Sequence, residues 1–285
     1  MIKKMLCKEA EEKIQARVQE HYDYVAKRIP VERIIGVFAY GSMNYGFYEE
    51  GVSDVDTKAI VLPSFENLMG GHNLISKEYI LENGEHCEVK DIRLYIQQLK
   101  KQSINFVETL FTRYFVLTPQ WEDLWIQYFL NSSKLIAHYD EVQTIHVAGK
   151  HLLSIKKRTG KDVYNILRLY GFIQRYYYGY AYSTCIETLQ HLTPDLYEKM
   201  LYYKSHKDTD FSSDPDVQEN VANIRRNTDI MLKQVTPSHF TKSSNNLLEE
   251  RRQSIDNIFL EAASAMLVPY LNREKAQHFP LHKKA

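Results

Sequence analysis

"ERIIGVFAYGSMNYGFYEEGVSDVDTKAIVLP", residues 32–63, holds two short apolar runs joined by a polar link that carries glycines. The first run ends in Gly41-Ser42 and the second, TKAIVLP, stops at Pro63. Short runs rich in Ile and Val and bounded by glycine and proline predict two strands with a tight turn after the first. Asp54 and Asp56 stand at the entrance to the second. On extended backbone, residues i and i+2 share a face with Cα atoms about 6–7 Å apart, so the two carboxylates lie side by side and Val55 turns to the core. Like charges at that spacing repel. Two hard, oxygen-liganded cations about 3.5–4 Å apart can sit between such groups, as in two-metal phosphoryl-transfer sites. A lone Asp-x-Asp at a strand entrance is also an ordinary loop feature. The Gly-Ser turn tips the balance: if the strands pair, Gly41 and Ser42 lie beside the aspartates. Glycine there lets a phosphate approach the backbone, and the Ser42 amide and hydroxyl can bind its oxygens.

On the N-terminal side, Ile14, Val18, Tyr22 and Val25 recur about once per turn and predict a helix over 5–28, closed by Pro30. Beyond Pro63, KEYILENGEHCEVK (77–90) is two short runs around Asn83-Gly84, a hairpin signal. Asp91 can then cap the helix IRLYIQQLKKQ, and the apolar stretch INFVETLFTRYFVL leads to Pro119. After Pro119 strand-like runs vanish. Helical patterns follow over roughly 120–139, 141–158, 161–180, 183–203, 216–234 and 246–271, with KSHKDTDFSSDPD (204–216) as the most loop-like segment. The expected architecture is α+β: a mixed sheet with flanking helices in residues 1–118, followed by an all-α part in 119–285.

Composition fits a globular chain: 285 residues, 44% hydrophobic and 25% charged, enough to build a packed core. Lys+Arg and Asp+Glu balance at 36 each, so net charge points to neither nucleic acid nor a membrane surface, although a local basic face can still bind nucleic acid. No apolar run approaches the roughly 18 residues of a membrane span, and the charged start lacks the apolar core of a signal peptide. Cys7, Cys87 and Cys185 form no CxxC pair, which argues against a disulfide framework or a thiolate zinc site. The expectation is a cytoplasmic protein without membrane partners.

GSMNYGF (41–47) followed by SDVDTKAIVL (53–62) resembles the active-site signature of the DNA polymerase β-like nucleotidyltransferase superfamily, and more narrowly the bacterial and phage "predicted nucleotidyltransferase" pattern GSxxYG…SDxDxxG. INFVETLF (104–111) is similar to that family's NPNxLELLF segment, with Ile104 where proline is usual. KDVYNILRL (161–169) is similar to its KxxYHxxRL helix, with Asn165 where histidine is usual. The resemblance spans residues 34–170. It implies transfer of a nucleoside monophosphate from an NTP to an acceptor hydroxyl, with pyrophosphate released. Two Mg²⁺ or Mn²⁺ ions would lie on Asp54, Asp56 and a third carboxylate, while Gly41 and Ser42 would hold the β- and γ-phosphates. The acceptor is left open among RNA, protein and small molecules. For the third carboxylate the expectation is Glu88, late on the second hairpin arm. Glu85 competes but falls on the opposite face if the strand is regular, and Asp91 is claimed by its helix cap.

Lys58, two past Asp56, shares the aspartates' face and can neutralise a phosphate or pair across the strand. Lys161, Tyr164 and Arg168 share one helix face and can grip a triphosphate; the alternative is a solvated basic face. The tyrosines at 176, 177, 178, 180 and 182 read as packing material before they read as base-stacking platforms. KKRTGK (156–161) is a basic turn that can touch nucleotide or a nucleic-acid acceptor or be a plain solvated turn, and His146 and His151, five apart, suggest no metal site. The departures at Ile104 and Asn165 motivate a second reading, a nucleotidyltransferase-like protein that binds nucleotide or a protein partner without catalysis.

Overall fold

The computed structural model describes residues 6–48, 53–71, 73–156, 158–179, 194–236 and 245–278. Its centre is a mixed five-stranded sheet of β1 (Ile34–Ala39), β2 (Thr57–Val61), β3 (Ser76–Ile80), β4 (His86–Asp91) and β5 (Phe115–Leu117), in the order β3-β4-β2-β1-β5. β1 and β2 run antiparallel with Ala39 opposite Thr57, and β2 and β4 run parallel with Lys58 opposite Glu88. The Asn83-Gly84 signal is met by the β3–β4 hairpin. β5 is a strand that the apolar continuity of FVETLFTRYFVL concealed. It adds to the free edge of β1 with Gly36 opposite Leu117.

One face of the sheet packs on α1 (Lys8–Ala26) through Ile14, Val18 and Val25, which meet Val37, Ala59 and Val89. The inward position next to Val18 is His21, fully buried, rather than Tyr22; the Tyr22 hydroxyl instead pairs with that of Thr118 at 2.9 Å. The other face carries Phe38, Ile60 and Leu62 into a large apolar cluster with α3 (Ile92–Lys100), α4 (Ile104–Val107) and α5 (Pro119–Trp125). A short helix α2 (Phe65–Met69) follows β2. Asp91 caps α3 as expected, its carboxylate accepting from the Arg93 amide at 2.9 Å. Trp125 stacks on Phe38 at 4.5 Å and on Phe129 at 4.4 Å, so the same cluster runs from the sheet into the helical region across residue 118.

The helical region continues with a π-helical turn (Ile126–Leu130), α6 (Ser133–Ala137), α7 (Glu141–Ser154), α8 (Gly160–Tyr177), α9 (Pro194–Ser205), α10 (Pro215–Gln234) and α11 (Asn245–His278). The expected single helix over 120–139 is thus broken in three. Among the described residues, no helix is long and apolar enough to cross a membrane. Cys7 and Cys87 are free thiols; Cys185, Tyr180 and Tyr182 lie outside the described residues. Tyr176 is buried and donates to the Ala137 carbonyl at 2.9 Å, a packing role.

Candidate functional site

Antiparallel pairing of β1 and β2 brings the two motifs together. The Tyr40 amide donates to the Asp56 carbonyl at 3.1 Å, one step past the last strand pair. Gly41 has φ 96°, a conformation that L side chains rarely adopt, and here the chain leaves the sheet for the 3₁₀ turn Ser42–Tyr45. Val55 is buried in the α1-side core, as its position between two outward carboxylates requires, leaving Asp54 exposed and Asp56 half-buried. Asp56, Asp54, Gly41 and Ser42 line one wall of a cavity of about 310 Å³.

The opposite wall comes from the helical region: Lys161, Tyr164, Asn165 and Arg168 on α8, and Lys204 and Lys207 at the end of α9 and just beyond. Thr159 caps α8 with a reciprocal capping box to Asp162. Gly160 then permits a close approach, since a Cβ there would lie 2.1 Å from the His206 carbonyl oxygen. The Gly160 amide donates to Thr209 and the Lys161 amide to Lys207, at 3.0 and 2.9 Å, which docks the end of α9 on the start of α8. That docking carries Lys204 into the cavity, where its ammonium donates to the Ser42 hydroxyl at 2.8 Å and lies 5.5 Å from the Tyr164 ring centre. Burial pulls the Lys204 amine down to about 8; Asp54 opposes the shift, and Lys207, Arg168 and Lys161 reinforce it. Burial likewise raises the Asp56 carboxyl, with His86 partly offsetting it and Asp54 adding to it.

Glu108, from INFVETLF, joins the two walls. It is fully buried and accepts from the Gly41 amide at 3.0 Å, from the Tyr45 hydroxyl, and from Arg168 at 3.1 Å. The Gly41 amide is therefore engaged by protein.

Of the residues singled out in the sequence, Asp54, Asp56, Gly41, Ser42, Lys161, Tyr164 and Arg168 meet at this cavity. Glu88 and Lys58 do not line it. They pair with each other at 2.9 Å, the expected strand-face partner Asp56 being replaced by the residue opposite on β4. Glu88 also accepts from the Tyr40 hydroxyl at 2.7 Å and pairs with Lys90 at 3.0 Å. Burial opposes its ionisation, but the charge of Lys58 and these hydrogen bonds prevail and hold the carboxyl at about 2. Lys58 is buried with its ammonium 3.7 Å from the Tyr40 ring centre. Glu85 lies on the α1 face. It accepts from the Val55 amide at 3.1 Å, from Arg17 at 2.8 Å and from Asn83 at 2.9 Å, and it meets His21 at 3.0 Å. It thereby fixes the backbone between the two aspartates from behind.

Three contributors escaped the sequence reading. Glu108 had a usable signal, the lone acidic residue within an apolar run, which marks a buried and paired charge. Lys204 and Lys207 had none, since they belong to the segment that read as loop.

Asp54 and Asp56, exposed and half-buried at the cavity wall, are the carboxylate donors that would hold a hard divalent cation there. No group of three His, Cys, Asp or Glu placed to hold a metal occurs among the described residues, so the three-carboxylate set expected from the resemblance is not assembled there.

No protein-family model matches the chain. No curated protein matches it either. Among solved structures, it is similar to a nucleotidyltransferase-like protein from Exiguobacterium sibiricum, at 10% identity over 94% of this chain and 81% of that one, with a TM-score of 0.27.

Proposed function

We propose that this protein is a metal-dependent nucleotidyltransferase that binds an NTP between the Asp54/Asp56 wall and the Lys161/Arg168/Lys204/Lys207 wall. The observation that carries this reading is the opposition itself: paired carboxylates and a Gly-Ser turn on one side of a single cavity, four cationic side chains on the other. A polyphosphate with a bound cation complements both walls, whereas either wall alone would repel itself. A divalent ion, Mg²⁺ or Mn²⁺, would lie on Asp54 and Asp56 and supply charge neutralisation at the reacting phosphate.

The chain's own residues do the rest by positioning. Ser42 offers its hydroxyl to a phosphate oxygen once Lys204 turns from it to the phosphates. Arg168, braced by Glu108, presents guanidinium donors from the α8 side. In the reaction the acceptor hydroxyl oxygen bonds to the α-phosphorus and the bond from that phosphorus to its bridging oxygen breaks. Pyrophosphate leaves with the electron pair, and the hydroxyl proton passes to solvent. The acceptor class, whether RNA, protein or small molecule, is the open part of the reading.

The ion pairs of Glu88 with Lys58 and Lys90 favour a second reading, a protein that holds nucleotide without transferring it. Incubation with each α-labelled NTP, Mg²⁺ or Mn²⁺, total RNA and cell protein separates the two. Metal-dependent pyrophosphate release that is lost in Asp54→Ala and Asp56→Ala supports the enzyme. Tight nucleotide binding without release supports the module, and neither binding nor release refutes both.

A further inference from the structure

Two-ion phosphoryl transfer needs carboxylates for both ions, and Glu88, Glu85 and Glu108 are each already held by other groups of the protein. Glu88 is held by Tyr40, Lys58 and Lys90. Glu85 faces α1 and is held by His21, Arg17, Asn83 and the Val55 amide. Glu108 is buried between Gly41, Tyr45 and Arg168. Releasing any of them would strand a buried cationic or polar partner, which is costly. A second divalent ion would also add positive charge to a cavity already lined by Lys161, Arg168, Lys204 and Lys207. Lys204 reaches across to the aspartate wall, with its ammonium on the Ser42 hydroxyl.

We infer that the cavity takes a nucleoside triphosphate with a single divalent cation, held by Asp54, Asp56 and the phosphates, and that the Lys204 ammonium supplies the charge a second ion supplies in two-ion sites. The inference rests on the reading that this cavity binds an NTP, and it departs from the two-ion expectation raised by the resemblance. It assigns Lys204 a direct contact with the phosphates. The arrangement has a physical merit: an ammonium on a helix end is delivered by folding, at fixed stoichiometry, whereas a weakly liganded second ion must be bound from solution.

The test counts ions on the full chain. Mn²⁺ is titrated against protein with an equal concentration of α,β-methylene-ATP, with free Mn²⁺ read by electron paramagnetic resonance. One tight Mn²⁺ per chain is expected, lost in Asp54→Asn. Lys204→Met is expected to weaken the analogue by about tenfold or more, as loss of a charge-assisted contact does, with the Mn²⁺ count still one. Two tight ions per chain would overturn the inference while leaving the NTP-site reading intact. Unchanged analogue affinity in a Lys204→Met variant with wild-type circular dichroism and melting temperature would overturn the role given to the lysine. Failure of Mn²⁺ and analogue to bind at all would overturn the inference and the reading together.

Discussion

Glu108 offers the sharpest test of how the two walls are joined. Its carboxylate, fully buried, accepts from Gly41, Tyr45 and Arg168. Glu108→Ala takes the Glu108 carboxylate from the Arg168 guanidinium, itself only 9% exposed, and removes the acceptor from an amide and a hydroxyl. Breaking a buried ion pair from one side costs about 3–5 kcal/mol, a large share of the 5–15 kcal/mol or so that stabilises a typical domain. Glu108→Gln keeps the shape and one acceptor oxygen, so its cost is nearer 1–3 kcal/mol, the charge-assisted part. Arg168→Met leaves Glu108 with two donors, and the double variant Glu108→Ala/Arg168→Met should cost less than the two single changes added, by about 1–3 kcal/mol. Urea unfolding followed by emission of the buried Trp121 and Trp125 measures all four. Because Glu108 also sets Arg168 and the Gly-Ser turn, ATP affinity in Glu108→Gln should fall with little change in circular dichroism. Strictly additive stabilities, or a Glu108→Ala cost below about 0.5 kcal/mol, the range of ordinary surface substitutions, would refute the coupling.

Gly160→Ala should lower the melting temperature and ATP affinity together, because the added methyl drives α8 and α9 apart at the His206 carbonyl; an unchanged melting curve would contradict the close approach. ATP affinity should fall as pH rises from 7 to 9, since Lys204 is ammonium below its value of about 8 and neutral above it, and Lys204→Met should flatten that profile in a calorimetric titration. Glu85 and Glu88, both held at about 2, contribute stability that is present above the ordinary value near 4.5 and lost as pH falls toward 2. Glu85→Gln should therefore be less stable at neutral pH and less acid-sensitive in urea unfolding at pH 5 and pH 3, and an acid sensitivity equal to wild type would count against the network. Asp56, whose carboxyl burial raises, should bind Mn²⁺ less well as pH falls, because proton and cation compete for the charged form; Asp56→Asn should abolish the binding at every pH tested.

β1 and β2 were legible because each is short, apolar and followed closely by glycine or proline, β3 and β4 because Asn83-Gly84 marks their hairpin, and a period of two fixes which residues face outward. The Asp54–Val55–Asp56 alternation follows from that rule, as does the separation of Glu85 and Glu88 onto opposite faces. β5 was hidden because Val107, Leu110, Phe111 and Tyr114 keep a helical spacing that runs straight into Phe115–Leu117, so the strand has no break of its own. The break after α5 was hidden for the same reason: Trp125, Phe129 and their neighbours keep a helical apolar pattern through the π-helical turn.

The strand-end wall was legible from local sequence, and Lys161, Tyr164 and Arg168 of the opposite wall from their shared helix face, whereas Lys204 and Lys207 were not. Gly41, Ser42, Asp54 and Asp56 come from adjacent strand ends, and one hairpin rule suffices to bring them together. The partners of a charge are a different matter, because they depend on what lies opposite in the finished sheet. Lys58 could be placed on the aspartates' face, but the parallel register of β2 and β4 sets it against Glu88, and in a buried setting the nearest opposite charge takes it. Lys204 is the extreme case: it lies 162 residues from Ser42 in a segment that reads as loop. Its place is fixed by a glycine at 160 that admits a backbone carbonyl where any side chain would collide. The positive wall is therefore a consequence of how α8 and α9 dock, and changes at that docking seam should alter nucleotide affinity even though Gly160 is not among the residues that line the cavity.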